Sequence, residues 1–140
     1  MTELDYSYCA GIIDGEGSIL IEQQKAPGIS VTNTSLAMLE YLQSLFGGSI
    51  RKQKTYKPHH KPAWIWSITY DRALRMIDCI LPYMKEENKI HRATILLDEW
   101  KSATPRNGKY TEAQADAKRN LIDRFYQGMQ RLSTASVESV

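Results

Sequence analysis

Tyr8-Cys9-Ala10-Gly11-Ile12-Ile13-Asp14-Gly15-Glu16-Gly17-Ser18-Ile19 passes from a helical pattern to a strand pattern around Asp14, Gly15, Glu16 and Gly17. In a helix begun near Leu4, residues Ser7, Gly11 and Gly15 fall at i, i+4 and i+8. They form a ridge with almost no side chain, on which the backbone of another helix can rest closely. Cys9, Ile12 and Ile13 point elsewhere and give the helix an apolar side for its own core. Gly15 and Gly17 permit a backbone path that β-carbons would obstruct, and Glu16 is presented between them at the C-terminal end of the helix. The helix dipole disfavours an anion at that end, so a bound cation accounts for Glu16 better than surface decoration does.

Outward from this stretch, a chain of 140 residues with 42% hydrophobic content supports one domain, expected over residues 1–132, with residues 133–140 as a flexible tail. No run approaches the length of a membrane span, and the first residues, with Glu3 and Asp5, lack a signal-peptide pattern. The expected setting is intracellular, either a bacterial cytoplasm or an organelle matrix. Cys9 and Cys79 both lie in helical apolar patterns and read as buried reduced thiols; neither belongs to a zinc motif. The net charge is +2, but its distribution is uneven: from Gln23 through Tyr70 the only acid is Glu40, against Lys25, Arg51, Lys52, Lys54, Lys57 and Lys61. A strand-rich half nearly free of carboxylates suits a polyanion surface, although a solvated basic face has the same composition.

Ile19-Leu20-Ile21 has strand composition, Gln23 to Gly28 reads as a turn, and Ile29 to Thr34 alternates as a second strand. Ser35 or Thr34 caps a helix through Phe46 with Leu36, Leu39, Leu42, Leu45 and Phe46 as its buried stripe, ended by Gly47-Gly48. Ser49 to Lys54 and Ala63 to Thr69 make a second hairpin, in which Trp64 and Trp66 share a face with Ile68 and pack on the core. His59 and His60 in its loop have no partner at ligand spacing and read as phosphate-contacting or solvated. Asp71 caps a further helix limited by Pro82, and Ile90, Ala93, Leu96, Leu97 and Trp100 mark the next. Thr111 and Gln114 form a capping box ahead of a last helix striped by Ala117, Leu121, Phe125, Met129 and Leu132.

Cys9 to Gly17 resembles the LAGLIDADG motif of homing endonucleases, with Cys9 in place of the usual leucine. The resemblance covers roughly Leu4 to Trp100. It implies an α+β fold of order α-β-β-α-β-β-α, with a curved four-stranded antiparallel sheet and additional C-terminal helices. The sequence contains one such motif, which implies the homodimeric branch, paired through Ser7, Ala10, Gly11, Asp14 and Gly15 and reading a nearly palindromic site in double-stranded DNA. RNA is a lesser partner, and no membrane is implied. The implied activity is a metal-dependent double-strand break. Mg²⁺ is the expected ion, with Mn²⁺ or Ca²⁺ able to stand in, held at Glu16 and the adjoining Gly15. Asn33 resembles the family's polar residue at the end of the second strand, and Lys89 its lysine beyond the third helix, with Lys85 as the alternative. Outward strand positions Glu22, Gln24, Ser30, Thr32, Arg51 and Gln53 are the expected base readers, and Lys52, Lys54 and Lys61 the expected phosphate contacts. The competing reading is a cleavage-deficient DNA- or RNA-binding protein of the same fold, a maturase or regulator.

Overall fold

The computed structural model of the chain describes residues 1–23, 25–54 and 61–138, with side chains as far as residue 127. The chain divides into two compact units, Met1–Lys85 and a second beginning at Glu86.

In the first unit, α1 (Glu3–Glu16) is followed by β1 (Gly17–Glu22), β2 (Ala26–Asn33), α2 (Leu36–Phe46), β3 (Ser49–Lys52), β4 (Trp64–Thr69), α3 (Asp71–Ile80) and a short 3₁₀ turn at Leu81–Tyr83. This is the element order implied by the family resemblance. The strands form one open antiparallel sheet in the order β1-β2-β4-β3. Helices α1, α2 and α3 pack on one face of it. Ile19, Ile29, Val31, Trp66 and Ile68 point into that layer and are buried with Leu39, Leu42, Phe46, Met76 and Ile77. Because strand side chains alternate, Ser18, Leu20, Glu22, Ser30, Thr32, Arg51, Ser67 and Thr69 point to the other face.

Several local features decide these boundaries. Thr2 caps α1 in a capping box with Asp5, earlier than the Leu4 start expected from the pattern. The expected turn at Gln23 to Gly28 is shorter: Gln23 takes a positive φ of 49°, and Pro27 and Gly28 already lie in β2. Pro27 is tolerated in a central strand because the ladder to β4 begins one residue later, at Gly28, and its carbonyl accepts from the Tyr70 N–H at 2.9 Å. Ser35 is the cap of α2. Gly47 and Gly48 end that helix at φ 75° and 95°, where L side chains are strained, and the Gly47 carbonyl accepts from Trp66 Nε1 at 2.9 Å. Asp71 is the first residue of α3, not its cap; the cap position is Tyr70, at φ 55°.

The second unit contains α4 (Glu87–Glu99) and α5 (Glu112–Glu138). Glu86 caps α4 through the N–H groups of Asn88 and Lys89, and the expected Thr111–Gln114 capping box opens α5. Helix α5 continues past Leu132, where the sequence pattern placed its end. Its buried stripe also departs from expectation. Ala117 is exposed, and the neighbouring Lys118 is buried with Leu121 and Phe125. The Lys118 ammonium lies 3.6 Å from the centre of the Trp100 ring and donates to Thr104 Oγ1, while its stem fills the apolar seam. Burial lowers the Lys118 pKa. A bidentate pair between Arg124 and Glu99, at 2.8 and 3.0 Å, joins the two helices.

Candidate acidic site and nucleic-acid interface

Glu16 is the last residue of α1, and it is exposed. The chain turns directly from the helix into β1 at Gly17, where a β-carbon would come within 2.9 Å of the Ile13 Cα. The requirement for glycine there is one of space, since its φ of −91° suits any residue. Gly15 differs: a β-carbon on it would meet nothing within 4 Å, so the expected backbone obstruction exists at Gly17 and not at Gly15.

The other motif acid has a partner in its own unit. Asp14 Oδ2 accepts from the backbone N–H of Lys85 at 2.8 Å, tying the end of α1 to the segment after the 3₁₀ turn. Asn33 closes β2, and its Oδ1 accepts from the Ser35 N–H at 2.8 Å. Gly17 pairs with Val31, so Glu16 and Asn33 stand at the same end of the β1–β2 ladder. Lys89 lies in the first turn of α4, in the second unit, half-buried, and its backbone N–H donates to Glu86 Oε2 at 2.7 Å.

Along α1, Ser7, Gly11 and Gly15 are exposed and form the small-residue ridge, with open space where a Gly11 β-carbon would stand. Ala10 does not belong to that ridge. It is fully buried and has no surface to give a partner. Two large side chains flank the ridge instead, Leu4 at 82% exposure and Tyr8 at 55%. Sequence reasoning missed both, though their i, i+4, i+7 spacing with Gly11 carries the signal.

Of the expected DNA-facing residues, Glu22, Ser30, Thr32, Arg51 and Gln53 fall on the sheet face away from the helices. Lys52 pairs with Trp64 and shares that residue's face, so it sits at the rim of β3 and not on the open face. Lys54 and Lys61 are exposed beyond the strand ends, and Gln24, His59 and His60 lie outside the described residues. The open face also carries Ser18, Leu20, Ser49, Ile65, Ser67 and Thr69, which the sequence pattern alone did not single out. Among the described residues, no group of three or more His, Cys, Asp or Glu side chains converges as a metal site. No described helix is long and apolar enough to cross a membrane.

No family model matches the sequence, and no curated protein matches it. Solved structures do. The homing endonuclease I-CvuI, in complex with its target in the presence of 2 mM Ca, superposes with a TM-score of 0.65 at 18% identity, over 88% of this chain and 80% of that one. The same enzyme with the I-CreI target in the presence of 2 mM Mg, with the DNA not cleaved, gives a TM-score of 0.66 at 18% identity and the same coverage. The homing endonuclease I-TnaI gives 0.55 at 16% identity, over 95% of this chain and 96% of its own. At these identities the likeness is one of architecture: the chain has the fold of the LAGLIDADG homing endonucleases.

Proposed function

We propose that this chain is a site-specific DNA endonuclease that acts as a homodimer and requires a divalent cation. The observation that carries the reading is the position of Glu16: an exposed carboxylate at the C-terminal end of α1, one residue from the strand that opens the uncovered sheet face. In this reading, the Ser7–Gly11–Gly15 ridges of two copies lie together, flanked by Leu4 and Tyr8, and the pairing brings two Glu16 carboxylates near each other. Like charges at close range are tolerated when a cation lies between them.

The donor set fits Mg²⁺. A hard ion that keeps several waters is bound through one or two carboxylates and substrate phosphate oxygens, so a single carboxylate per chain is a sufficient protein contribution. When bound, such an ion supplies Lewis-acid stabilisation of the phosphodiester and a more acidic water. Glu16 holds it. Asn33, its Oδ1 already occupied by the Ser35 N–H, retains its amide nitrogen to donate and orient water near the scissile phosphate. Lys89 is the proposed second water-ordering residue. Asp14 positions: its bond to the Lys85 N–H fixes the helix end that presents Glu16.

The open face of the sheet lies in the major groove, with Arg51, Gln53 and Glu22 at base edges and Lys54, Lys61 and Lys52 toward phosphates. The charge bias from Gln23 to Tyr70, with Glu40 its only acid, supports a polyanion partner for this strand-rich stretch, with Arg51 on the open face and Lys52, Lys54 and Lys61 at its margins.

Glu16→Gln tests the reading. The variant should bind a duplex selected by the wild type with nearly unchanged affinity and fail to nick or cut it. Cleavage at the wild-type rate would remove Glu16 from the metal site and the proposal with it.

A further inference from the structure

The strand registers align four serines in one row across the whole sheet. Ser18 pairs with Ser30, Ser30 with Ser67, and Ser67 with Ser49, one from each strand in the order β1-β2-β4-β3. Directly paired residues share a face, and the intervening Ile19, Ile29 and Ile68 are buried against the helices, so all four hydroxyls lie on the open face. At about 4.8 Å between strands the row spans roughly 14 Å.

The rows on either side have a different character. Toward the β1–β2 turn come Leu20, Gly28 and Thr69, then Glu22 opposite Ala26; toward the other end come Thr32, Ile65 and Arg51, then Gln53 opposite Ala63. Among the described residues of this face, the long polar side chains therefore stand off the serine row: Glu22 two rows away toward the turn, Arg51 one row and Gln53 two rows away toward the other end. A β-carbon on Gly28 would lie 3.0 Å from Glu22 Cγ and 3.2 Å from Leu20 Cδ1, so both side chains lean along the face over that glycine.

Arginine, glutamine and a carboxylate each match particular base edges, whereas a hydroxyl both donates and accepts and serves any of them. A seryl hydroxyl is also the shortest of these groups, so it meets the groove floor through water more readily than directly. We infer that this chain reads each half-site as two sequence-specific blocks, one under Arg51 and Gln53 and one under Glu22, separated by a run of tolerated base pairs under the Ser18–Ser30–Ser67–Ser49 row. This rests on the proposed DNA-binding reading of the same face.

The test is selection of bound duplexes from a randomised library with the full chain, followed by sequencing. The wild type should enrich half-sites with two informative blocks flanking near-random positions. Arg51→Ala should flatten one block and Glu22→Gln the other. Ser67→Gln or Ser30→Asn should create a new preference between them, discriminating bases by about tenfold or more. Information running unbroken through the middle, with Ser30→Ala or Ser67→Ala relaxing a position by about tenfold, would overturn the inference and leave DNA binding intact. Enrichment of no duplex at all would overturn the binding reading and this inference together.

Discussion

The carboxylate of Asp14 and the backbone N–H of Lys85, 71 positions apart in the sequence, meet at 2.8 Å and fasten the end of α1 to the segment following α3. Glu16 leaves the helix two residues later, so the geometry of the proposed catalytic acid depends on a bond made by its neighbour. Of the two motif acids, one is committed inside its own unit and the other is exposed to solvent.

Asp14→Ala removes the acceptor and leaves the Lys85 N–H to water. A hydrogen bond to a charged group contributes about 1.5–3 kcal/mol, and the half-exposed setting places the loss at the low end of that range. Asp14→Asn retains an acceptor and should lose less than half as much. Urea denaturation checks both, and an unchanged midpoint for Asp14→Ala would show that the bond carries no stability.

Gly11 and Gly17 lie on either side of Asp14 and should respond in opposite ways to alanine. A β-carbon on Gly11 meets nothing in the subunit, and alanine is favoured over glycine inside a helix by about 1 kcal/mol, so Gly11→Ala should stabilise the isolated chain. Gly17→Ala places a methyl group within 2.9 Å of the Ile13 backbone and should destabilise it by about 1–3 kcal/mol. If the ridge pairs with a second copy, Gly11→Leu breaks the dimer while the chain stays folded. Sedimentation at matched concentration separates these effects, and a Gly11→Leu variant that remains dimeric would move the interface elsewhere.

The contrast between those glycines also shows where the sequence was legible. Element order, the α1 and α2 faces and the emergence of Glu16 follow from periodicity and glycine placement, because each depends on near neighbours. Pro27-Gly28 read as a turn since the cue for its tolerance, the start of the β4 ladder, lies some forty residues away in the chain. Lys118 does not show in the apolar periodicity because its charge marks it as polar, whereas in the fold the residue is buried with its ammonium over the Trp100 ring. The Asp14–Lys85 bond and the serine row depend on tertiary contact and strand register, which no local pattern specifies.

The two cysteines should differ in reactivity. Cys9 has no exposed surface, and burial pushes its thiol pKa up to about 11, so almost none is thiolate at neutral pH. Cys79 is free and only half-buried. Labelling with a thiol reagent at pH 7.5 should modify Cys79 first and Cys9 only as fast as the unit opens, while both react together in denaturant. Mass spectrometry of the partially labelled protein checks this order, and equal rates in the native protein would contradict the burial of Cys9.

The first unit should lose stability at both ends of the pH range through one side-chain pair. The Thr2 backbone N–H and the Tyr41 hydroxyl, which donates to Asp5 Oδ1 at 2.7 Å, hold the Asp5 carboxyl below its usual range. A carboxylate with a depressed folded pKa contributes stability that is present above its unfolded value, near 3.9, and lost as the pH falls through the folded value. Tyr41 moves the other way: burial, then its bond to Asp5, raises the phenol. A raised phenol pKa contributes stability fully present below about pH 10 and lost as the pH climbs through the folded value. Tyr41→Phe removes the shared bond, so Asp5 should titrate closer to an ordinary aspartate in a carbon-detected NMR titration. The same variant should lose the part of the alkaline transition that accompanies tyrosinate absorbance. An Asp5 titration unchanged by Tyr41→Phe would assign its shift to the Thr2 cap alone.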